Sequence, residues 1–207
     1  MKCLIKICGI TDAAYATFAA EQGADYIGMI FHAASKRNID EDHAKQIVGA
    51  LKNTHTQAVA VFVDQTADEM LNICTTLNID HVQLHGANAR QQHYLLPEAL
   101  HRIYVCNVDA KGQILKDVEN GLQHCKKERD FLLFDNLQPG SGKIFNWSGF
   151  KNATDFRWFL SGGLTPQNVA EGVALLHPNG VDVSSGVESS PGIKDMNLIK
   201  QFINASS

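Results

Sequence analysis

Residues 6–12, KICGITD, end a short apolar run with a cysteine and then turn toward a helix. The run Leu4–Cys8 has the composition of a β-strand, and the glycine after it permits a tight exit. Thr11 or Asp12 can accept hydrogen bonds from the first free amides of the helix that follows. The stretch therefore predicts a strand, a turn and a capped helix in immediate succession.

Cys8 ends this first strand on the same face as Lys6, because side chains alternate along a strand. Ile5 and Ile7 occupy the opposite face. A free cysteine is among the most buried residue types, so a packed structural thiol is the first interpretation of Cys8. A catalytic role depends on which residues end the other strands.

The same strand-helix alternation continues along the chain. AVAVFV, at 58–63, is the continuous apolar run that is typical of a parallel strand covered on both faces. The predicted strands are Leu4–Cys8, Ala24–Phe31, Ala58–Val63, Asp80–His85, Arg102–Asn107, Phe131–Asp135, Phe156–Leu160 and Gly180–Ser184. The predicted helices are Asp12–Gln22, Asp40–Leu51, Ala67–Leu77, Ala89–Leu96, Ile114–Lys126, Ser148–Asn152, Pro166–Leu176 and Met196–Ile203.

Eight strands that alternate with eight helical segments predict an α/β fold with parallel strands, and eight is the number that closes a (β/α)8 barrel. With 207 residues the chain is short for that fold, which usually takes about 250, so helices and loops must be near minimal. An open doubly wound sheet is the alternative, but it usually has fewer strands and a glycine fingerprint after the first. We expect a single-domain, compact (β/α)8 TIM barrel spanning residues 1–207.

Composition excludes several classes of function. A net charge of −4 argues against nucleic-acid or anionic-membrane binding. Five scattered cysteines without C-x-x-C, and nine histidines without H-E-x-x-H, indicate neither a disulfide framework nor a metal site, so no metal or cofactor is expected.

The chain shows no signal-peptide pattern and no apolar run as long as a membrane span. We therefore expect a cytoplasmic protein, and, without a long exposed apolar stripe, a monomer.

The carboxyl ends of the predicted strands are unusually polar. In (β/α)8 barrels the active site lies at these ends, where the side chains of different strands converge. Burying polar groups there is costly unless they are paired or used, so we expect them to bind substrate or do chemistry. The residues are Cys8, Gln83, His85, Asp135, Asp182 and Ser184.

Glycine-bearing turns follow the seventh and eighth strands. The first contains Gly162 and Gly163, and the second contains Ser184, Ser185 and Gly186. A glycine pair before a helix start is ordinary on its own, but loops at these two strands commonly form a phosphate site from backbone amides. The two turns together predict phosphate binding.

Arg37 is the only arginine in the early loops at the same end of the barrel. A loop arginine is usually a solvated charge. The alternative is a guanidinium fork that binds a substrate carboxylate.

A series of motifs gives the chain a resemblance to the phosphoribosylanthranilate isomerase family of tryptophan biosynthesis. The series runs nearly end to end and is far more specific than any single motif. The motifs are KICGIT at 6–11, SKR at 35–37, VFVD at 61–64, VQLHG at 82–86, LFD at 133–135, PGSGKIFNW at 139–147, LSGGLTPQNV at 160–169 and GVDVSSGVESSPGIKD at 180–195.

The resemblance implies a (β/α)8 barrel and an Amadori rearrangement of N-(5'-phosphoribosyl)anthranilate, an aminoaldose, to an aminoketose. It implies that Asp135 is the general acid that opens the sugar ring and that Cys8 is the general base at C2'. Such a pair works best with pKa values displaced toward neutrality, down for the cysteine and up for the aspartate.

The resemblance also assigns binding residues. It implies that Arg37 binds the anthranilate carboxylate and that the turns after the seventh and eighth strands bind phosphate. Gly140 and Gly142 match a flexible glycine loop that closes over the substrate. Two other functions remain open from the residues alone: a related phosphosugar isomerase or epimerase, which would not need Arg37, and a non-catalytic module that binds a phosphorylated ligand.

Overall fold

Eight parallel strands close into a barrel in chain order, with β1 paired to β8. The structure is a computed structural model that describes residues 2–115, 121–137 and 143–206. The closed barrel confirms the (β/α)8 prediction and excludes the open sheet. The strands are β1 Leu4–Cys8, β2 Tyr26–Phe31, β3 Gln57–Phe62, β4 His81–Leu84, β5 His101–Val108, β6 Phe131–Asn136, β7 Arg157–Leu160 and β8 Gly180–Val183.

Six α-helices surround the barrel in the described residues. They are α1 Ala13–Gln22, α2 Glu41–Leu51, α3 Ala67–Leu77, α4 Ala87–Gln92, α5 Val169–Leu176 and α6 Met196–Ala205. Asp12 and Asp40 each cap the following helix through the carboxylate, and Thr66 forms a capping box with Glu69. Within the described ranges, no helix has the length and apolar character needed to cross a membrane.

One predicted helix is a short turn instead, and a second lies partly outside the described residues. The segment predicted as Ser148–Asn152 is a 3₁₀ turn at Trp147–Gly149, which the Asn146 side chain caps by accepting from the Gly149 amide. Of the predicted helix Ile114–Lys126, residues 116–120 lie outside the described residues, and a 3₁₀ turn occupies Leu122–His124.

A two-stranded antiparallel hairpin follows β8 and was not predicted. It consists of β9 Glu188–Ser190 and β10 Ile193–Lys194. Strands of three and two residues are too short to show an alternating pattern, so sequence periodicity could not reveal them. The hairpin lies beside the carboxyl end of the barrel, where its charged residues matter below.

The two faces of the barrel strands differ in polarity. Ile5, Ile7, Val82 and Leu84 face the helices and belong to the main hydrophobic core, which confirms the predicted parity. The interior toward the amino ends of the strands is filled by a second apolar cluster of Val59, Ile103, Val105, Phe131, Leu133 and Phe159. Toward the carboxyl ends the interior becomes polar, and the buried polar side chains there include Lys6, Gln83, Asp135, Ser161 and Asp182.

Candidate active site

A pocket of about 410 Å³ opens at the carboxyl ends of the strands. That volume suits a drug-sized ligand. Ten of the sequence-predicted residues line it: Cys8, Arg37, Gln83, His85, Asp135, Gly162, Gly163, Asp182, Ser184 and Ser185. Gly186 is not among the lining residues, and Gly140 and Gly142 lie outside the described residues. The structure thus brings residues from six strands and their loops to one cavity.

Asp135, at the end of β6, is a carboxyl group with a strongly altered acidity. Burial raises the pKa of Asp135 to about 7, and the nearby Asp182 carboxylate raises it too. The Asn136 amide donates a hydrogen bond of 2.8 Å to Asp135 Oδ1, which opposes the shift. A carboxyl group that is half protonated near pH 7 can donate a proton at neutral pH.

Cys8, at the end of β1, lies over Gly28 together with the ammonium group of Lys6. A Cβ on Gly28 would lie 2.8 Å from Cys8 Sγ and 3.0 Å from Lys6 Nζ. Burial raises the pKa of the Cys8 thiol, although the Lys6 ammonium lowers it. The expected lowering of this pKa is therefore wrong, because desolvation of the thiolate outweighs the attraction of the lysine.

Lys6 and Asp182 form an ion pair inside the barrel, with Nζ 2.8 Å from Oδ1. Lys6 is fully buried, and Ser161 Oγ donates to Asp182 Oδ2 at 3.2 Å. Asp182 thus lines the pocket, but each of its carboxylate oxygens already accepts a hydrogen bond, one from Lys6 and the other from Ser161. The sequence interpretation missed Lys6 as a site residue, although its position on the Cys8 face of β1 was the available signal.

Gln83 and His85 form a neutral hydrogen-bonding pair on β4 and its loop. Gln83 Nε2 donates to His85 Nδ1 at 3.2 Å, so the His85 proton resides on Nε2. Burial lowers the pKa of His85 to about 4, which keeps the ring neutral at pH 7. Gln83 Oε1 is buried and has no partner among the described residues. An acceptor of this kind suits a substrate hydroxyl.

Arg37 is held in a bidentate ion pair and is not a freely solvated loop charge. Its Nε and Nη2 donate to the two carboxylate oxygens of Glu188 at 2.6 and 2.7 Å. Lys194 Nζ donates to the same carboxylate at 2.8 Å. Glu188 and Lys194 belong to the hairpin, and no pattern in the sequence singled them out.

The turns after β7 and β8 pack backbone against backbone at the pocket. Gly162 and Gly163 have φ angles of 86° and 72°, a left-handed region that favours glycine. A Cβ on Gly186 would overlap the carbonyl oxygen of Leu164, so Gly186 lets the two turns touch instead of lining the cavity. In the described part of the chain, the amides of Gly162 and Gly163 donate no hydrogen bond. Free amides at glycine turns suit an anion.

These features are typical of a (β/α)8-barrel enzyme that acts on a phosphorylated small molecule by proton transfer. Within residues 2–115, 121–137 and 143–206, no group of three or more His, Cys, Asp and Glu side chains could hold a metal ion. A model of the N-(5'-phosphoribosyl)anthranilate (PRA) isomerase family matches residues 5–205. This chain belongs to that family, whose reaction is the isomerisation of N-(5'-phosphoribosyl)anthranilate in tryptophan biosynthesis.

Similar proteins agree with this assignment. The N-(5'-phosphoribosyl)anthranilate isomerase of Chlamydia felis is 39% identical over 203 residues, covering 98% of this chain and 96% of that protein. Monomers generated from the dimeric phosphoribosylanthranilate isomerase of Thermotoga maritima match with a TM-score of 0.79 and 33% identity, covering 99% of this chain and 98% of that chain. A phosphoribosylanthranilate isomerase in complex with reduced 1-(o-carboxyphenylamino)-1-deoxyribulose 5-phosphate has a TM-score of 0.79 and 32% identity, with the same coverage.

Proposed function

We propose that Asp135 and Cys8 carry out the Amadori rearrangement of N-(5'-phosphoribosyl)anthranilate as general acid and general base. The observation that carries this assignment is that both side chains line one pocket while the pKa of Asp135 is raised to about 7. A carboxylic acid of that strength is protonated in a substantial fraction of molecules at neutral pH. It can therefore supply the first proton of the reaction.

Ring opening is the step assigned to Asp135. Its proton passes to the furanose ring oxygen as the bond between that oxygen and C1' breaks. The nitrogen lone pair forms a double bond to C1', which gives a cationic Schiff base. The Asp135 carboxylate that remains is balanced by this new cation and by the Lys6 ammonium, which lowers the pKa of Asp135.

Proton removal from C2' is the step assigned to Cys8. The thiolate takes the proton, the C2'–H electrons form a double bond between C1' and C2', and the former C=N electrons return to nitrogen. The resulting enolamine tautomerises to the ketone. Burial raises the pKa of the Cys8 thiol and so favours its protonated form, but the cationic Schiff base is an opposite charge that favours the thiolate.

The two anionic ends of the substrate have separate partners in this proposal. Arg37 binds the anthranilate carboxylate through the guanidinium N–H groups that do not donate to Glu188. The amides of Gly162 and Gly163, with Ser184 and Ser185, bind the phosphate, and Gly186 brings the turns together. Gln83, His85 and Asp182 contact the sugar portion between them.

Features beyond the described site complete the proposal. We expect Gly140 and Gly142 to belong to a loop that covers the bound substrate and excludes water. We also propose that residues 1–207 act as one barrel domain, as a cytoplasmic monomer that binds its small-molecule substrate and neither nucleic acid nor a membrane. The Thermotoga maritima relative is dimeric, so light scattering of the purified protein decides the oligomeric state.

The assay follows the decay of substrate fluorescence in purified protein. Cys8→Ala and Asp135→Asn should each lower kcat by roughly 10²–10⁴-fold, the usual contribution of a positioned acid or base. Cys3→Ala and Asp155→Asn are the matched controls, because neither residue lines the pocket, and both should keep wild-type turnover. Full activity in both test variants would refute the assigned roles.

A further inference from the structure

One carboxylate, that of Glu188, holds two cations from different parts of the chain. Glu188 Oε1 accepts from Arg37 Nε at 2.6 Å and from Lys194 Nζ at 2.8 Å, and Oε2 accepts from Arg37 Nη2 at 2.7 Å. The side chains of Arg37, Glu188 and Lys194 are only 16%, 4% and 0% exposed. Ion pairs shielded from water in this way keep their geometry and are little weakened by salt.

Lys194 extends this network to the turn after β8. Its ammonium donates to the carbonyl oxygen of Ser184 at 2.9 Å and contacts Ser184 Oγ at 3.4 Å. Arg37 and Ser184 also approach each other across Gly9, where a Cβ would lie 2.5 Å from Arg37 Cδ and 3.0 Å from Ser184 Oγ. We call Arg37, Glu188, Lys194 and Ser184 the charged brace.

The brace leaves hydrogen-bonding capacity on Arg37, which lines the pocket. Glu188 occupies one edge of the Arg37 guanidinium, through Nε and Nη2, while Nη1 has no hydrogen-bond partner among the described residues. The end of the guanidinium therefore remains open for a second carboxylate. With two cations and one anion, the brace carries one net positive charge inside a chain whose net charge is −4. That local excess favours an anionic ligand.

We propose that Glu188 and Lys194 are positioning residues that hold Arg37 and Ser184 at a fixed separation, so that the pocket selects a ligand with a carboxylate at one end and a phosphate at the other. This inference rests on the proposed function of Arg37 and the phosphate turns. Glu188 acts through Arg37, and Lys194 acts through Ser184. Neither residue lines the pocket, so neither touches the ligand itself.

The test compares Glu188→Gln with a matched control, Glu98→Gln, which breaks an exposed ion pair to Lys126. Glu188→Gln keeps the shape of the side chain and removes its charge. It should raise KM about tenfold or more, as expected for loss of a charge-assisted clamp, with a smaller change in kcat. In an Arg37→Ala background the same substitution should add less than about twofold, because its effect passes through Arg37.

Two fragments of the substrate, inorganic phosphate and anthranilate, report on the two ends separately. Calorimetry should show that Lys194→Gln weakens the binding of phosphate alone, and that Arg37→Ala and Glu188→Gln each weaken the binding of anthranilate alone. A purely structural ion pair would lower the melting temperature without this pattern. Equal effects of Glu188→Gln with and without Arg37, or fragment affinities equal to wild type, would overturn the proposal.

Two safeguards keep the test decisive. If Glu188→Gln does not fold, Glu188→Asp keeps the charge but withdraws the carboxylate by one methylene group, and the same pattern of fragment affinities is expected. Because fragment binding needs no turnover, a wild-type protein without isomerase activity would refute the proposed reaction, while the fragment affinities would still decide the brace.

Discussion

Lys6 and Asp182 are paired across the seam where β1 meets β8, and this buried ion pair influences both proposed catalytic groups. The strand register sets the two residues side by side, and Nζ lies 2.8 Å from Oδ1. The Lys6 ammonium lowers the pKa of Cys8 and of Asp135, whereas the Asp182 carboxylate raises both. The two members of the ion pair therefore have opposite effects on the pKa of Asp135 and on the pKa of Cys8.

Removal of one partner of this ion pair should lower the free energy of unfolding and the catalytic activity. Lys6→Met leaves the Asp182 carboxylate buried without its cation, which costs roughly 3–5 kcal/mol of stability. The double variant Lys6→Met/Asp182→Asn should recover most of that loss in urea unfolding but little of the activity, since the ammonium near Cys8 is still absent. Recovery of both together would contradict the role given to Lys6.

Asp135→Asn should make the protein more stable at neutral pH while it removes activity. The pKa of Asp135 is about 7 in the folded chain and near 4 when unfolded, so the unfolded state loses this proton first as pH rises. The carboxyl therefore costs stability progressively between about pH 4 and pH 7. Thermal unfolding should show a gain of about 4 kcal/mol for Asp135→Asn at pH 8 that vanishes near pH 4. A gain independent of pH would contradict the raised pKa.

Gly28→Ala should displace the Cys8 side chain, because the new methyl group would lie 2.8 Å from Cys8 Sγ and 3.0 Å from Lys6 Nζ. We expect a loss of about 1–3 kcal/mol of stability and a fall in kcat/KM of up to about 10²-fold. Gly49→Ala is the matched control. Gly49 lies in α2 with nothing within 4 Å of an added Cβ, so alanine there should stabilise the helix by about 0.5–1 kcal/mol and leave kinetics unchanged. If Gly28→Ala and Gly49→Ala have the same kcat/KM, the proposed catalytic role of Cys8 is contradicted.

Local pattern was enough to predict the barrel and most of the pocket. The apolar run in β3 and the cap expected at Thr11 or Asp12 are local signals, and the structure has the strand and a cap at Asp12. Strand parity likewise directed Asp135 and Gln83 into the barrel, because alternation along a strand needs no knowledge of distant residues.

Long-range pairing is what the sequence could not reveal. Lys6 pairs with a residue 176 positions away, and Arg37 with Glu188, 151 positions away. Those contacts follow from the closure of the barrel and from a hairpin too short to have a period. The raised pKa of Cys8 has the same origin, since it depends on burial by the whole fold.

The pH dependence of kcat/KM tests the acid–base assignment most directly. The pKa of Asp135 is about 7, and the pKa of Cys8 is above its usual value. The active form of the enzyme combines protonated Asp135 with the Cys8 thiolate. Wild-type kcat/KM should rise tenfold per pH unit up to about 7 and then level off, as loss of the acid offsets gain of the base. The residual activity of Asp135→Asn should instead keep rising through pH 7 without a break. A break near pH 7 that persists in Asp135→Asn, or a wild-type profile flat from pH 5 to 9, would contradict the assignment of Asp135 as the acid and Cys8 as the base.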